Sequence, residues 1–295
     1  MSELIKDELK ERRPNIATSS LTTYTSLLSN LHKAVFGSDT AIDLANFAKK
    51  EAIVKVLKTF PLNRCKTTLS ALVVLTGINS YREMMLEQIT QYNAEQSKQV
   101  KNEKQKANDI SKDEVDEEFK ELKETATALY KKRKLNIDDL QQIQQFIILA
   151  LMGGMFIPPR RAEYTKMKLN NVDKSKDNYI AGNKFIFNTY KTSKFYGEQE
   201  LAIPTQLRTI LKKWTAVNPT DTLLFDNKFQ PLTNVNLNQR INKVFGNKKV
   251  GVNGMRHVYM SEKYGSSIDT DKAIAADLEA MGSSKSQKKV YIKED

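Results

Sequence analysis

Four residues in the second half of the chain could together break and remake a phosphodiester bond. Arg160 and Arg256 each offer a planar guanidinium whose paired N–H donors match the oxygens of a phosphate. Two such groups can hold the charge that develops on the non-bridging oxygens without a metal ion. The phenol of Tyr291 can act as a covalent nucleophile, and Lys191 can protonate the departing 5′ oxygen. A phosphotyrosyl bond would keep the energy of the broken ester, so rejoining would need no ATP.

These residues lie in four segments that follow one another along the chain. Arg160 precedes Glu163 by three positions in IPPRRAEYTKMKL (157–169), and the lysine lies in YKTSK (190–194). Arg256 lies in VNGMRHVYMSEKYG (252–265), and Tyr291 lies in AMGSSKSQKKVYIKED (280–295). In order and spacing, the segments resemble those of the tyrosine recombinase (phage-integrase) family and, more loosely, those of type IB topoisomerases. The likeness extends over residues 18–293.

The resemblance implies a role for each matching position. Arg160 with Glu163 fits the first arginine box of the family, and Arg256 fits the second. Lys191 fits the lysine that the family carries in a β-hairpin, and Lys194 is its rival in the same turn. Tyr291 then takes the place of the nucleophile.

Two positions depart from the family pattern. Asn253 and Ser283 stand where the family usually has histidines that assist at the phosphate. Both side chains can still donate a hydrogen bond to a phosphate oxygen, but neither can be a cation or a strong base. This predicts a slower reaction rather than a different one. Three further residues are expected to contact DNA: Arg161, Lys194 and His257.

Each of these residues also has an ordinary structural interpretation when it is taken alone. Arg160 could be a surface residue at a helix start, and Lys191 a plain turn lysine. Tyr291 could pack on a last helix, and His257 could be a hydrogen-bonding helix residue. Tyr259 lies too near Arg256 to match the nucleophile and is expected in the core. Their joint occurrence is what favours the chemistry.

The composition is that of a globular protein with a basic surface. The chain has 295 residues, of which 47 are Lys or Arg and 35 are Asp or Glu, for a net charge of +12. Such a surplus is typical of proteins that bind a polyanion such as nucleic acid. One cysteine and two histidines exclude a disulfide framework and make a structural zinc site improbable. We expect no metal and no cofactor.

The positive charge is uneven along the chain. Residues 160–213 contain twelve Lys or Arg against five acids, whereas residues 109–159 contain seven bases against ten acids. Lysines that are simply exposed to solvent account for part of the total charge. They do not account for a basic stretch that directly follows an acidic one, and we therefore expect residues 160–213 to face DNA.

The sequence predicts a mainly α-helical protein with a small antiparallel β-sheet, in two domains after an N-terminal tail. Residues 1–17 are predicted to be that tail or a short helix, residues 18–108 a helical core-binding domain, and residues 109–295 the catalytic domain. Helices are predicted over 39–57, 66–76 and from residue 80 to about residue 108. The polar stretch QSKQVKNEKQKAND marks the boundary.

In the second domain, capping residues predict two helix starts, and alternating apolar residues predict one sheet. Ser111 with Glu114 forms a capping box, and Asn136 opens the next helix. Alternating apolar residues predict three strands, near 179–180, 184–190 and 198–203. Further helices are predicted at 236–245, 253–264, 270–281 and 286–293.

The sequence thus predicts a site-specific DNA recombinase that acts through a 3′-phosphotyrosyl intermediate. Two alternatives stay open: a type IB topoisomerase, and a DNA-binding protein that has kept the fold and lost catalysis. The expected partner is double-stranded DNA, bound by a homotetramer that forms from free monomers. No apolar run is long enough for a membrane span or a secretory signal, so we expect an intracellular protein located where its DNA is: nucleus, cytoplasm or viral factory. The Lys- and Asn-rich composition resembles that of family members from large DNA viruses and mobile elements.

Overall fold

A computed structural model describes residues 2–98, 100–101, 103–160 and 162–280. The chain divides into two compact units, Met1–Lys101 and Asn102–Asp295, and each unit has its own cluster of buried apolar side chains. Most described residues are helical, and a small four-stranded sheet lies in the second unit. Among these residues, no helix combines the length and the apolar composition that a membrane crossing requires.

The described residues of the first unit form helices and no strand. The helices are α1 (Ser2–Arg12), α2 (Thr18–Phe36), a 3-10 helix (Leu44–Ala48), α3 (Lys50–Leu57), α4 (Leu62–Thr76) and α5 (Asn79–Ser97). The core lies between α2, α4 and α5, where Leu31, Leu72 and Tyr81 have almost no exposed surface. The Tyr81 hydroxyl donates to the Phe47 carbonyl (2.9 Å) and so fastens α5 to the 3-10 helix.

The N-terminal segment is part of this core and not a tail. Ile5 and Leu9 lie one turn apart on α1, and both are completely buried against the unit. Of the two alternatives predicted for residues 1–17, the short helix is therefore right for Ser2–Arg12 and the tail is wrong. The tail was predicted because most of the residues in this segment are charged. A helix nevertheless brings Ile5 and Leu9 to one face, where both can be buried.

Two long helices predicted in the first half of the chain are each interrupted. The stretch 39–57 becomes the 3-10 helix and α3, because the Asp43 side chain accepts from the Ala45 N–H and starts a helix there. The predicted helix after residue 80 ends at Ser97, and a separate short helix, α6 (Glu103–Ala107), belongs to the second unit.

The second unit is organised around a buried central helix. α7 (Lys112–Leu129) begins with the Ser111–Glu114 capping box, which confirms that prediction. α8 (Ile137–Met152) begins with a second box between Asn136 and Asp139. Its last seven residues, 146–152, are all buried, so α8 is the centre of the core.

A mixed sheet covers part of this core. Its strands are β1 (Met167–Lys168), β2 (Asn178–Ala181), β3 (Lys184–Phe187) and β4 (Gln199–Ala202), hydrogen-bonded in that order. β2, β3 and β4 are antiparallel, but β1 runs parallel to β2. The predicted sheet is therefore right for three strands and wrong in being purely antiparallel, since a two-residue strand has no alternation to read.

Three longer helices and two short ones are also described in the second unit. The longer helices are α10 (Thr205–Val217), α11 (Asn234–Val244) and α12 (Gly251–Ala280). A 3-10 helix (Ala162–Lys166) precedes β1, and the one-turn helix α9 (Ser193–Tyr196) lies between β3 and β4. α12 replaces two helices predicted at 253–264 and 270–281, so the predicted separation of these helices is wrong, and Gly265 lies inside α12. A single glycine inside a helix costs only about 1 kcal/mol relative to alanine. The helix predicted at 286–293 lies outside the described residues.

Candidate functional site

Arg160 is held at the edge of the sheet by contacts from two strands. It follows two prolines in the loop after α8, and its guanidinium carbon lies 4.0 Å from the ring centroid of Phe187. Nη2 donates to the side-chain oxygen of Gln199 on β4 (3.0 Å). The ring of Tyr190 lies 5.5 Å from the same guanidinium. The flat cation is thus fixed in orientation by a ring and by one hydrogen bond.

Only some of the N–H donors of the Arg160 guanidinium have a hydrogen-bond partner among the described residues. The side chain is half-buried, and its Nε–H is buried without a partner among the described residues. No ion pair joins Arg160 to the nearby Glu163, although Glu163 is also buried. An arginine that is anchored but not neutralised retains its charge and donors for an anion.

Two residues that follow Arg160 are buried with unpaired oxygen atoms. Glu163 Oε2 and the Tyr164 hydroxyl find no hydrogen-bond partner in the part of the chain that the structure describes. Tyr164 packs edge-on against Phe185 and Phe187, and this burial raises its pKa far above the ordinary value. A buried phenol that keeps its proton is a structural residue and not a nucleophile.

The connection between β3 and β4 carries the two candidate lysines. The predicted polar turn contains the one-turn helix α9, and Lys191 and Lys194 are both exposed on this connection. Neither lysine makes an ion pair or hydrogen bond within the described ranges. Arg160 contacts this connection through Tyr190, which directly precedes Lys191, so the structure brings these two candidates to one place.

The base of this connection is fastened by a buried asparagine that sequence analysis did not single out. Asn178 Oδ1 accepts from the backbone N–H groups of Asn188 (2.9 Å) and Thr189 (2.8 Å), and its Nδ2 donates to the Thr189 carbonyl (2.9 Å). At the other end, the Tyr190 hydroxyl donates to the Gly197 carbonyl (2.8 Å). An asparagine at the start of a strand was the only available signal, because strands rarely contain asparagine.

The α12 candidates lie in the first two turns of that helix. Arg256 is half-buried, while Asn253 and His257 are exposed. In the described part of the chain none of the three side chains has a hydrogen bond or an ion pair. Their donors are therefore available to a ligand.

Tyr259, one turn beyond Arg256, fixes α12 to the loop that leads to Arg160. A Cβ on Gly154 would lie 2.6 Å from the Tyr259 ring, so the ring rests directly on the glycine backbone. The Tyr259 hydroxyl accepts from Lys263 (3.1 Å), and this hydrogen bond raises the pKa of the lysine. Tyr259 is half-buried rather than fully in the core, which corrects the sequence interpretation in part.

Three of the candidate residues are not among the described residues. They are Arg161, Ser283 and Tyr291. The structure thus joins Arg160 to the connection that carries Lys191, and it places α12 against the loop that leads to Arg160. Among the described residues, no group of three or more His, Cys, Asp or Glu side chains is arranged to hold a metal ion.

Comparison with solved structures shows a distant likeness. The chain is similar to the crystal structure of XerA recombinase, with 12% sequence identity and a TM-score of 0.36, over 88% of this chain and 83% of that chain. No family model and no curated protein matches the sequence. A likeness at this level does not identify the function, which has to be argued from the arrangement of the chain's own residues.

Proposed function

We propose that this protein is a DNA strand transferase that cleaves and rejoins DNA through a 3′-phosphotyrosyl intermediate. The observation that supports it most is the half-buried Arg160. Its guanidinium is oriented by Phe187 and Gln199, lacks a carboxylate partner among the described residues, and lies beside the connection that carries Lys191. An oriented, unneutralised guanidinium next to an exposed lysine suits a phosphate with a leaving group that needs a proton.

In the proposed reaction each residue has one role. The Tyr291 oxygen attacks the phosphorus, the bond to the 5′ oxygen breaks, and that oxygen takes a proton from Lys191. Arg160 and Arg256 hold the charge on the non-bridging oxygens through the pentacoordinate state. Asn253 and Ser283 donate hydrogen bonds to the same oxygens. Rejoining is the reverse, with a 5′ hydroxyl attacking the phosphotyrosine and Lys191 accepting its proton.

The proposed substrate is duplex DNA, and the proposed outcome is exchange of strands between two sites. The basic stretch 160–213 supports DNA as the partner, since it contains most of the charge surplus of the chain. Assembly into a tetramer on DNA is part of the proposal, because strand exchange needs four cleavage events.

One observation favours a second candidate, a DNA-binding protein without cleavage activity. Asn253 is exposed and unpartnered one turn before Arg256, at a position where a cation would strengthen the hold on the phosphate. An uncharged amide at this place is compatible with binding alone.

Trapping of a covalent adduct separates the two candidates. The full-length protein is incubated with a random-sequence library of nicked duplexes, in which a cut releases a short fragment and prevents rejoining. After denaturation, DNA that remains attached to protein is recovered, and the linked peptide is identified by mass spectrometry. We expect DNA on the peptide that contains Tyr291 and none with Tyr291→Phe. DNA binding without any adduct would favour the second candidate, and site-independent plasmid relaxation would indicate a topoisomerase.

A further inference from the structure

Two adjacent aromatic side chains project into solvent from the one-turn helix between β3 and β4. Phe195 is 85% exposed and Tyr196 is 69% exposed. Large apolar side chains normally gain free energy by leaving water, so two neighbouring exposed rings mark a surface that is covered in use. Their exposure shows that neither ring is part of the core of this unit.

This exposed tip is fixed to a rigid base. Asn178 binds the backbone where the connection leaves β3, and the Tyr190–Gly197 hydrogen bond closes it before β4. Tyr190 also lies against Arg160, so the two rings are presented close to the candidate phosphate site. The tip is therefore an extension of that site.

The charges around the tip indicate which partner covers it. The residues from Tyr190 to Gly197 include two lysines and no acid, and Lys174 is tied to the same base because its carbonyl accepts from Asn188 (3.0 Å). The side chains of Lys174, Lys191 and Lys194 have no partner in the described ranges, whereas the nearby Lys168, Lys176 and Lys184 each form an ion pair with an acid. Free cations around exposed rings fit nucleic acid, which offers phosphates and flat bases together.

We propose that Phe195 and Tyr196 form a wedge that inserts between bases of duplex DNA, beside the phosphate bound by Arg160. Lys174 and Lys194 bind the flanking phosphates, and Lys191 lies at the phosphate bound by Arg160. The wedge separates one base step, and the exposed base faces stack on the rings. The placement beside a reacting phosphate rests on the proposed function, whereas the insertion into DNA does not.

The double variant Phe195→Ala/Tyr196→Ala tests the wedge. The probe is a short duplex with a central 2-aminopurine, prepared either fully paired or with one mismatch beside that base. The mismatch lowers the free energy needed to separate the step, so the wild-type protein should bind the mismatched duplex about tenfold more tightly. Binding should also change the 2-aminopurine fluorescence, because this base exchanges a neighbouring base for a ring or for solvent. The double variant should lose both the preference and the fluorescence change.

A matched control removes an exposed ring elsewhere in the same unit. Phe229 is 47% exposed on the turn after Asp226, so Phe229→Ala should keep the preference for the mismatch. Circular dichroism of both variants should equal that of the wild-type protein, since Phe195 and Tyr196 are exposed and Phe229 only covers one face of the buried Phe225. A wild-type protein without preference, or a double variant that retains it, would overturn the wedge.

The readout of this experiment is separate from that of the proposed reaction. Tyr291→Phe protein forms no adduct and should still show the preference and the fluorescence change. If the wild-type protein forms no adduct but shows both signals, the proposed reaction fails and the wedge stands. If it forms the adduct and the double variant binds both duplexes like the wild-type protein, the wedge alone fails.

Discussion

Arg160 is expected to contribute strongly to the rate of cleavage and only weakly to the affinity for DNA. Arg160→Ala removes one charge among the many that contact DNA, but it removes a donor pair aimed at the transition state. We expect adduct formation to fall about 10²- to 10³-fold, with DNA affinity nearly unchanged. Arg160→Lys should recover little, because an ammonium cannot both bond Gln199 and stack on Phe187 as the guanidinium does.

Adduct yields at fixed times give the rate of cleavage, and fluorescence anisotropy gives the DNA affinity of each protein. Arg208→Ala is the matched control, since Arg208 is exposed on α10 in the same basic stretch. It should lower neither quantity by more than a few-fold. If Arg160→Ala weakens binding as much as cleavage, Arg160 is only a phosphate anchor.

The two lysines of the β3–β4 connection can be told apart by their chemistry. Lys191 adjoins Tyr190, which contacts Arg160, whereas Lys194 lies on α9. We therefore expect Lys191→Ala to abolish cleavage of ordinary DNA and Lys194→Ala to weaken it modestly. A 5′-bridging phosphorothiolate has a leaving group that needs no proton, so it should restore cleavage by Lys191→Ala. Restoration of Lys194→Ala alone would assign the acid to the other lysine.

The way in which Arg160 is held could not be predicted from the sequence. The arginine itself stands in a recognisable segment, but its hydrogen-bond partner Gln199 is 39 positions away. Asn178 likewise bonds residues ten and eleven positions along the chain. A single contact between distant positions leaves no periodicity and no local motif, so it is visible only in three dimensions.

At the scale of helices and strands, the start of a helix could be predicted from its sequence, whereas the pairing of strands could not. The Ser111 capping box depends on four consecutive residues, so the start of α7 could be predicted. The parallel pairing of β1 with β2 joins residues separated by a turn, and neither strand indicates its partner. The helices predicted at 253–264 and 270–281 are continuous in α12, where Ser267 donates to the Tyr264 carbonyl (2.7 Å).

The contact between α12 and the loop after α8 should control activity at a distance. Gly154 has φ +80° and lies under the Tyr259 ring, so Gly154→Ala adds backbone strain and a steric clash. We expect a loss of roughly 2–3 kcal/mol in the free energy of unfolding of the second unit. Adduct formation should also fall, because α12 carries Arg256 and would have to shift.

Gly182→Ala is the control for the strain alone. Gly182 has φ +58°, and a Cβ there would meet no atom within 4 Å. It should lose stability by roughly 1 kcal/mol and keep its adduct yield. The difference between the two variants, measured by urea unfolding and adduct trapping, isolates the clash with Tyr259. Equal losses in both variants would show that the ring does not constrain the helix.

At the scale of the whole molecule, the uneven charge predicts which lysines set the salt dependence of DNA binding. Each phosphate contact releases counterions, so the slope of log K against log salt counts those contacts. Replacing Lys174, Lys191 and Lys194 by Gln should lower the slope by about one per lysine that contacts a phosphate. The control makes the same charge change in the acidic stretch and uses three exposed lysines: Lys120, Lys123 and Lys131. An equal change in slope for both triple variants would contradict a localised DNA face.

The two separate cores predict that mild acid, between pH 7.5 and 5.5, destabilises the first unit more than the second. His32 is buried in the first unit between Phe36 and Phe47, and its Nε2 lies 3.3 Å from the side-chain amide of Asn46. Burial lowers the pKa of His32 below 6.5, and Asp43 opposes this only in part. Below pH 6.5 the folded unit therefore binds fewer protons than the unfolded chain. Its free energy of unfolding is greatest above that pH and falls as the pH decreases through it.

The single tryptophan makes this prediction measurable. Trp214 is buried in the second unit and stacks on Phe225, so its fluorescence reports that unit alone. Circular dichroism reports the helices of both units. From pH 7.5 to 5.5 we expect an early thermal transition in the dichroism signal to move to lower temperature, while the tryptophan transition stays in place. His32→Gln should abolish the shift, because it removes the titrating group and keeps a polar side chain toward Asn46. A shift that persists in this variant, or that moves the tryptophan transition equally, would assign the acid sensitivity to another group.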